Sequence, residues 1–273
     1  MLSYVVSDSS PTNTLAGKCA LITGSVQGLG LAAAERLAGA GCHVVLSGFA
    51  EAQRVADIRA RLEQRRGIRT LYCGADLQNP AEIQHMFASS FEAFGSVDIL
   101  INNAVVRHSA AVEEFPVERW DEALAVNLSS AFHAIRLALP GMRKKNWGRI
   151  INVSSIYGLR ATSNRIAYVT TKTALLGLTR AVALETAGHN ITCNAICPGT
   201  IQTPVHETKV AEIMSAGGLS RIAAEQRVLA GKQPTGRFIS ADRVAGLMLY
   251  LCGPDGADIT GAAVPVDGGW SAE

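Results

Sequence analysis

Seven short apolar runs, CALITG, CHVVLS, RTLYCG, VDILIN, GRIINVSS, ITCNAIC and AAVPVDG, recur between Lys18 and Gly268, separated by longer stretches of helical periodicity. Strands that alternate with helices need crossover connections, so they pair in parallel and carry helices on both faces of the sheet. The expected fold class is therefore α/β, one doubly wound domain over residues 15–273 built on a parallel seven-stranded sheet. Residues 1–14, MLSYVVSDSSPTNT, show no sustained periodicity and read as a flexible leader. Residues 203–232 lie between the sixth run and the last helical stretch, with Gly217 and Gly218 at their middle. A segment of that length predicts a helical lid over a site.

A hydrophobic share of 48% with a net charge of +2 suits a well-cored globule and argues against nucleic acid as a partner. No apolar run reaches the roughly 18 residues a membrane span needs. The N-terminus also lacks a secretory layout, so the expected location is the cytoplasm. Cys19, Cys42, Cys73, Cys193, Cys197 and Cys252 are dispersed and read as reduced core residues. The six histidines form no cluster with cysteines or acids, and no metal is expected.

In such sheets ligands bind outside the carboxyl ends of the strands. After the first run stands TGSVQGLG, where Gly24, Gly28 and Gly30, with Gln27 and Leu29 between them, open a helix. Glycines there permit a tight turn and let a pyrophosphate approach backbone N–H groups at the helix start. The spacing is T-G-x-x-x-G-x-G rather than the Rossmann G-x-G-x-x-G, and it resembles the short-chain dehydrogenase/reductase family. That resemblance implies a Rossmann domain holding a nicotinamide dinucleotide. The second run ends in Ser47, Gly48 and Phe49, with neither acid nor base, and Glu51 and Arg54 follow. This favours NAD over NADP mildly, with Phe49 beside the adenosine. Asp76 and Leu77 stand where they flank the adenine, although an aspartate there is equally suited to capping the helix near Pro80. Asn103 and Ala104 belong to an N-N-A-V turn that is N-N-A-G in the family; Val105 resists a positive φ.

Tyr168 and Lys172 are four residues apart in SNRIAYVTTK, so on a helix they share one face. Ser155 stands thirteen residues before Tyr168, beside Ser154, which as a hydroxyl at a strand end also suits a helix cap. The resemblance identifies Asn127, Ser155, Tyr168 and Lys172 with the family's catalytic tetrad. A free phenol titrates near pH 10, and the cation of Lys172 favours its phenolate. Tyr168 would then exchange the alcohol proton, Ser155 would hold the substrate oxygen, and Asn127 would support a water leading from Lys172 to solvent.

NWGRIINVSS, ALETAG, NAICPG, KQPTGRF and VDGGW together resemble the D-3-hydroxybutyrate dehydrogenase branch of that family, which is soluble, tetrameric and NAD-dependent. The resemblance places Pro198, Gly199, Ile201 and Thr203 by the nicotinamide. It places Arg107, Tyr157, Arg165, Lys209 and Trp270 around the substrate. Arg107 and Lys209 replace neutral amides of that branch, and Thr200 replaces a tryptophan. Two added cations with no added carboxylate suggest a hydroxy or oxo acid larger or more anionic than hydroxybutyrate. The alternatives are that both cations face solvent, or that the enzyme is a carbonyl reductase or polyol dehydrogenase for neutral substrates. An intact tetrad speaks against a silent scaffold, and the glycine spacing speaks against a sugar-nucleotide epimerase.

Overall fold

The computed structural model describes residues 15–64 and 67–272; the expected leader lies outside them. The seven runs form the seven strands: β1 (Cys19–Ile22), β2 (His43–Ser47), β3 (Thr70–Cys73), β4 (Ile99–Asn102), β5 (Gly148–Val153), β6 (Ile191–Pro198) and β7 (Ala263–Val266). Every pairing is parallel, in the order β3-β2-β1-β4-β5-β6-β7. Strand order reverses where β4 pairs with β1, Leu21 standing opposite both Val45 and Leu100. A crevice opens at that reversal, above the strand carboxyl ends.

Each strand divides its side chains between two cores, as the two-residue period of a strand requires. Ala20, Ile22, Val44, Leu46, Ile99 and Ile101 face one layer, built with α1 (Gly28–Gly39), α2 (Ala52–Glu63) and α9 (Ala241–Cys252). Cys19, Leu21, Val45, Leu100 and Ile150 face the other, built with α3 (Pro80–Phe94), α5 (Ser130–Lys145) and α6 (Ile166–Thr186). Because both faces are covered, β1, β4 and β5 are buried along their whole length, which explains why they read as unbroken apolar runs.

Helix limits follow local signals. The Asn79 side chain accepts from Ala81 N at 3.0 Å, Pro80 occupies the first turn, and Gly95 closes α3 with φ 78°. Asn79 is therefore the cap of α3, and Asp76 is not; Asp76 accepts from Gln78 N at 2.9 Å. Short α4 (Val117–Leu124) runs into α5 through one π-helical turn, Ala125–Ser129. Between β6 and α9 the chain folds into α7 (Pro204–Gly217) and α8 (Arg221–Val228), with Gly218 left-handed at φ 57° between them. Val210, Ala224 and Val228, with Ile213, Met214 and Phe238, give this pair a small core separate from the main ones. No helix among the described residues is long and apolar enough to cross a membrane.

Candidate active site

The glycine-rich turn is held open by the next loop along the sheet edge. Asn103 Nδ2 donates to Thr23 O at 2.9 Å and to Gly24 O at 3.0 Å, while Thr23 Oγ1 accepts from the N–H groups of Asn103 and Ala104. A Cβ at Gly30 would lie 2.3 Å from Gly24 O, so only glycine lets α1 begin this close to the turn. Gly28 has φ 55°, and a Cβ there would enter open space. Gln27, the N-cap residue of α1, makes no side-chain cap, so the first-turn amides stay available to an anion. This cradle fits a dinucleotide pyrophosphate. Val105 is not among the residues with positive φ, which explains how a β-branched residue stands in this turn.

At the end of β2, Tyr72 donates its hydroxyl to Gly48 O at 2.7 Å, and Phe49 is 72% exposed beside it. Arg54 Nε donates to Val26 O at 3.1 Å, drawing the guanidinium back to the glycine-rich turn. Leu77 is buried just after β3. Pro198 ends β6, and Gly199 is too crowded for a side chain, since a Cβ there would sit 2.8 Å from Gln233 Oε1. Buried Gln233 holds this turn by accepting from Thr200 N and donating to Arg237 O. Ile201 then bridges to Ile239, and Thr203 leads into α7.

Tyr168 and Lys172 lie on one face of α6, both buried, as their spacing predicts. Lys172 Nζ stands 5.7 Å from the centre of the Tyr168 ring and donates to Val153 O at 2.6 Å. The two hydroxyls after β5 have separate tasks. Ser154 Oγ donates to Lys172 O at 2.7 Å and ties α6 to the sheet; Ser155 Oγ accepts from Tyr157 N at 3.1 Å and bonds the Tyr168 phenol. Gly158 lets that segment lie flat on α6: a Cβ would be 2.3 Å from Ser154 Oγ and 2.8 Å from Lys172 O.

Burial pushes the Tyr168 phenol up, but the charges of Lys172 and Arg107 and hydrogen bonds from Ser155 and Arg107 outweigh it and hold it below the usual phenol range. Burial brings Lys172 down to about 8, helped by Arg107 and opposed by Tyr168. A phenol with a lowered pKa beside a buried cation is equipped to exchange a proton near neutral pH.

Arg107 is thus gathered into the cluster, its Cζ 5.4 Å from the Tyr168 ring centre. Asn127 is what places it. From the π-helical turn, Asn127 Oδ1 accepts from Val106 N at 2.8 Å and Nδ2 donates to Val106 O at 3.1 Å, fixing the residue before Arg107. Its amide also reaches Thr171 Oγ1 at 3.4 Å on α6. The Asn127 side chain is therefore engaged with a backbone rather than directed at Lys172.

Tyr157 stands edge-on between Tyr168 and Trp270, at 6.4 Å and 5.4 Å between ring centres. Trp270 is positioned by Asp267, whose carboxylate accepts from Gly269 N and Ser271 N, and by Arg160, which donates to Trp270 O. Arg165 occupies the N-cap position of α6, and Lys209 is exposed on α7. Gln233, Asp267 and Gly158 were not anticipated as site residues. They act through buried backbone contacts between segments far apart in the chain, which no local motif reports.

The chain matches the family model for short chain dehydrogenases over residues 18–213. It is 44% identical to a D-beta-hydroxybutyrate dehydrogenase of Cupriavidus necator, across 95% of this chain and 100% of that protein. A second D-beta-hydroxybutyrate dehydrogenase, from Rhizobium meliloti, is also 44% identical, across 94% and 99%. Among solved structures, L-sorbose reductase of Gluconobacter frateurii, complexed with NADPH and L-sorbose, is similar with a TM-score of 0.87 and 31% identity, covering 94% of this chain and 98% of that one. A parallel sheet ending in a glycine cradle, with a buried tyrosine and lysine across the crevice, thus coincides with full-length sequence similarity, and this protein belongs to the short-chain dehydrogenase family of oxidoreductases.

Proposed function

We propose that the protein interconverts a secondary alcohol and a ketone with NAD, its substrate being a 3-hydroxy acid of the D-3-hydroxybutyrate type. The observation that carries this reading is the buried pair Tyr168 and Lys172 on α6, with Lys172 Nζ 5.7 Å and Arg107 Cζ 5.4 Å from the phenol ring centre. A bound nicotinamide would supply the hydride exchange with the carbinol carbon. Tyr168 Oη takes the hydroxyl proton in oxidation and gives it back in reduction, so charge balances on the substrate oxygen. Ser155 holds that oxygen as charge shifts on it, and the Lys172 cation stabilises the phenolate. Trp270 and Tyr157 wall the carbon chain, Arg165 faces the carboxylate, and α7 with α8 forms the lid. Because the Asn127 side chain braces Val106, a water leading to Lys172 would rest on its backbone carbonyl.

Gly24, Gln27, Gly28, Leu29 and Gly30 would cradle the pyrophosphate, with Phe49, Asp76 and Leu77 around the adenosine. Asn103, Ala104, Pro198, Gly199, Ile201 and Thr203 would border the nicotinamide end. The absence of a base at the end of β2, with Arg54 drawn to Val26 O, favours NAD over NADP. A homotetramer fits the exposed apolar side chains Val117, Phe132 and Leu184 on α4, α5 and α6. A reducing, cytoplasmic setting fits six free thiols. The likeness to L-sorbose reductase favours a second reading, reduction of neutral polyhydroxy ketones. Absorbance of the reduced nicotinamide, followed with D-3-hydroxybutyrate or L-sorbose and each cofactor, separates the two. Turnover of the sugar without any turnover of a hydroxy acid would reject the first.

A further inference from the structure

Because α7 and α8 carry a small core of their own, the bonds that tie them to the rest of the domain decide where they sit. Two side chains at the start of α7 reach back to the turn before it. Glu207 accepts from Gln202, but it is also held by Arg221 of α8 through both oxygens at 2.8 Å, and its side chain is 41% exposed. A shared, solvent-screened contact of this kind holds weakly. His206 is placed differently. Its ring lies 5.3 Å from that of Phe238, centre to centre and tilted by 32°, so it packs on the small core. Its Nδ1 lies 2.9 Å from Ile201 O and 3.0 Å from Thr203 Oγ1.

A carbonyl only accepts, so Nδ1 carries a proton and donates it to Ile201 O. Burial lowers the pKa of this imidazole, so near neutral pH the ring is uncharged and that proton is its only one. Thr203 Oγ1 shares the same N–H as an acceptor, since a protonated Nδ1 has no lone pair left to receive a hydroxyl proton. Thr203 is the N-cap residue of α7 yet makes no side-chain cap, its hydroxyl being engaged with His206 instead. The turn itself is fastened on its other side, where Ile239 N donates to Thr200 O at 2.9 Å and Gln202 N donates to Ile239 O at 3.3 Å. His206 thus stands between a fastened turn and a separately cored pair of helices.

We propose that His206 is a positioning residue: its N–H locks the first turn of α7 to Ile201 and Thr203, so that a cofactor seated against that turn fixes the α7–α8 lid. This rests on the reading above in which Ile201 and Thr203 border the nicotinamide. His206 carries no proton in the reaction and touches no reacting atom. The coupling is reciprocal, so a lid held in place also tightens the cofactor.

Deuterium exchange of the α7 amides, measured on the full chain with and without NADH, tests this. NADH should slow exchange across residues 204–217 of the parent by about fivefold or more, the lower end of coupling between sites. His206→Phe keeps a ring against Phe238 and deletes the donor; in a preparation with native circular dichroism it should cut that protection below about twofold. His206→Asn puts an amide N–H near the place of the Nδ1 proton and should restore it. Phe and Asn variants that behave alike, or a Phe variant protected like the parent, overturn the lock. A parent α7 that NADH leaves unprotected, while NADH fluorescence shows it bound, overturns the lock and spares the cofactor reading. If NADH does not bind the parent, both fall together.

Discussion

Arg107 lies with its guanidinium carbon 5.4 Å from the centre of the Tyr168 ring, and its charge acts on both Tyr168 and Lys172. It lowers the phenol by charge and hydrogen bonding, and it lowers Lys172 by repulsion. One residue from the loop after β4 therefore sets the poise of two residues on α6.

Removing that cation should move the pH profile. Oxidation needs the phenolate, which is populated above the Tyr168 pKa, so a lowered pKa carries the rising limb of kcat/KM to lower pH. Arg107→Gln deletes a lowering influence, and the limb should shift upward when measured between about pH 6 and pH 10. An unmoved limb would show that Arg107 does not tune the phenol.

Tyr168→Phe keeps the ring and its contacts with Tyr157 while deleting the hydroxyl that we propose carries the proton. The expected loss in kcat is about 10²–10⁴-fold, in the range general acid–base groups contribute. Thermal unfolding should stay close to that of the parent. Retention of more than a tenth of the parent kcat would mean another group carries the proton.

At Gly158 any side chain meets Ser154 Oγ and the Lys172 carbonyl. Gly158→Ala should cost about 1–3 kcal/mol, as overpacking does. It should also lower kcat, because the displaced segment carries Ser155. Denaturant unfolding and steady-state rates on the same preparation would show both effects; a stable variant with full activity contradicts the packing.

Replacing Asn127 by Ala removes both bonds to the Val106 backbone. Leaving that half-buried backbone without its partner should cost about 1–3 kcal/mol. Released from its brace, Arg107 should also influence Tyr168 less, so this variant should show the same upward pH shift as Arg107→Gln. A stability loss without the shift would confine Asn127 to a structural part.

For the cofactor cradle, the informative change is Gly28→Val. Its left-handed φ of 55° disfavours any β-carbon by about 1–2 kcal/mol, and the added methyls enter the open space in front of α1. Binding of NADH, followed by its fluorescence, should weaken far more than stability falls. Equal binding would remove the pyrophosphate from this turn.

The sequence by itself determined the layered fold and the juxtaposition of Tyr168 with Lys172, because both are written in local periods. Two-residue alternation and unbroken apolar runs specify buried parallel strands, and a four-residue spacing puts Tyr168 and Lys172 on one helical face. The positions of Gly24, Gly28 and Gly30 after β1 were legible for the same reason, since a tight turn demands them locally. Tertiary structure alone decided whether Arg107 faces Tyr168 or solvent, that Asn79 and not Asp76 caps α3, and that Asn127 braces a backbone. It alone brought His206 beside Phe238, and Gln233 beneath Thr200. Those relations join segments separated by tens of residues, and their geometry comes from how loops pack above a shared sheet edge, a constraint no single stretch of chain contains.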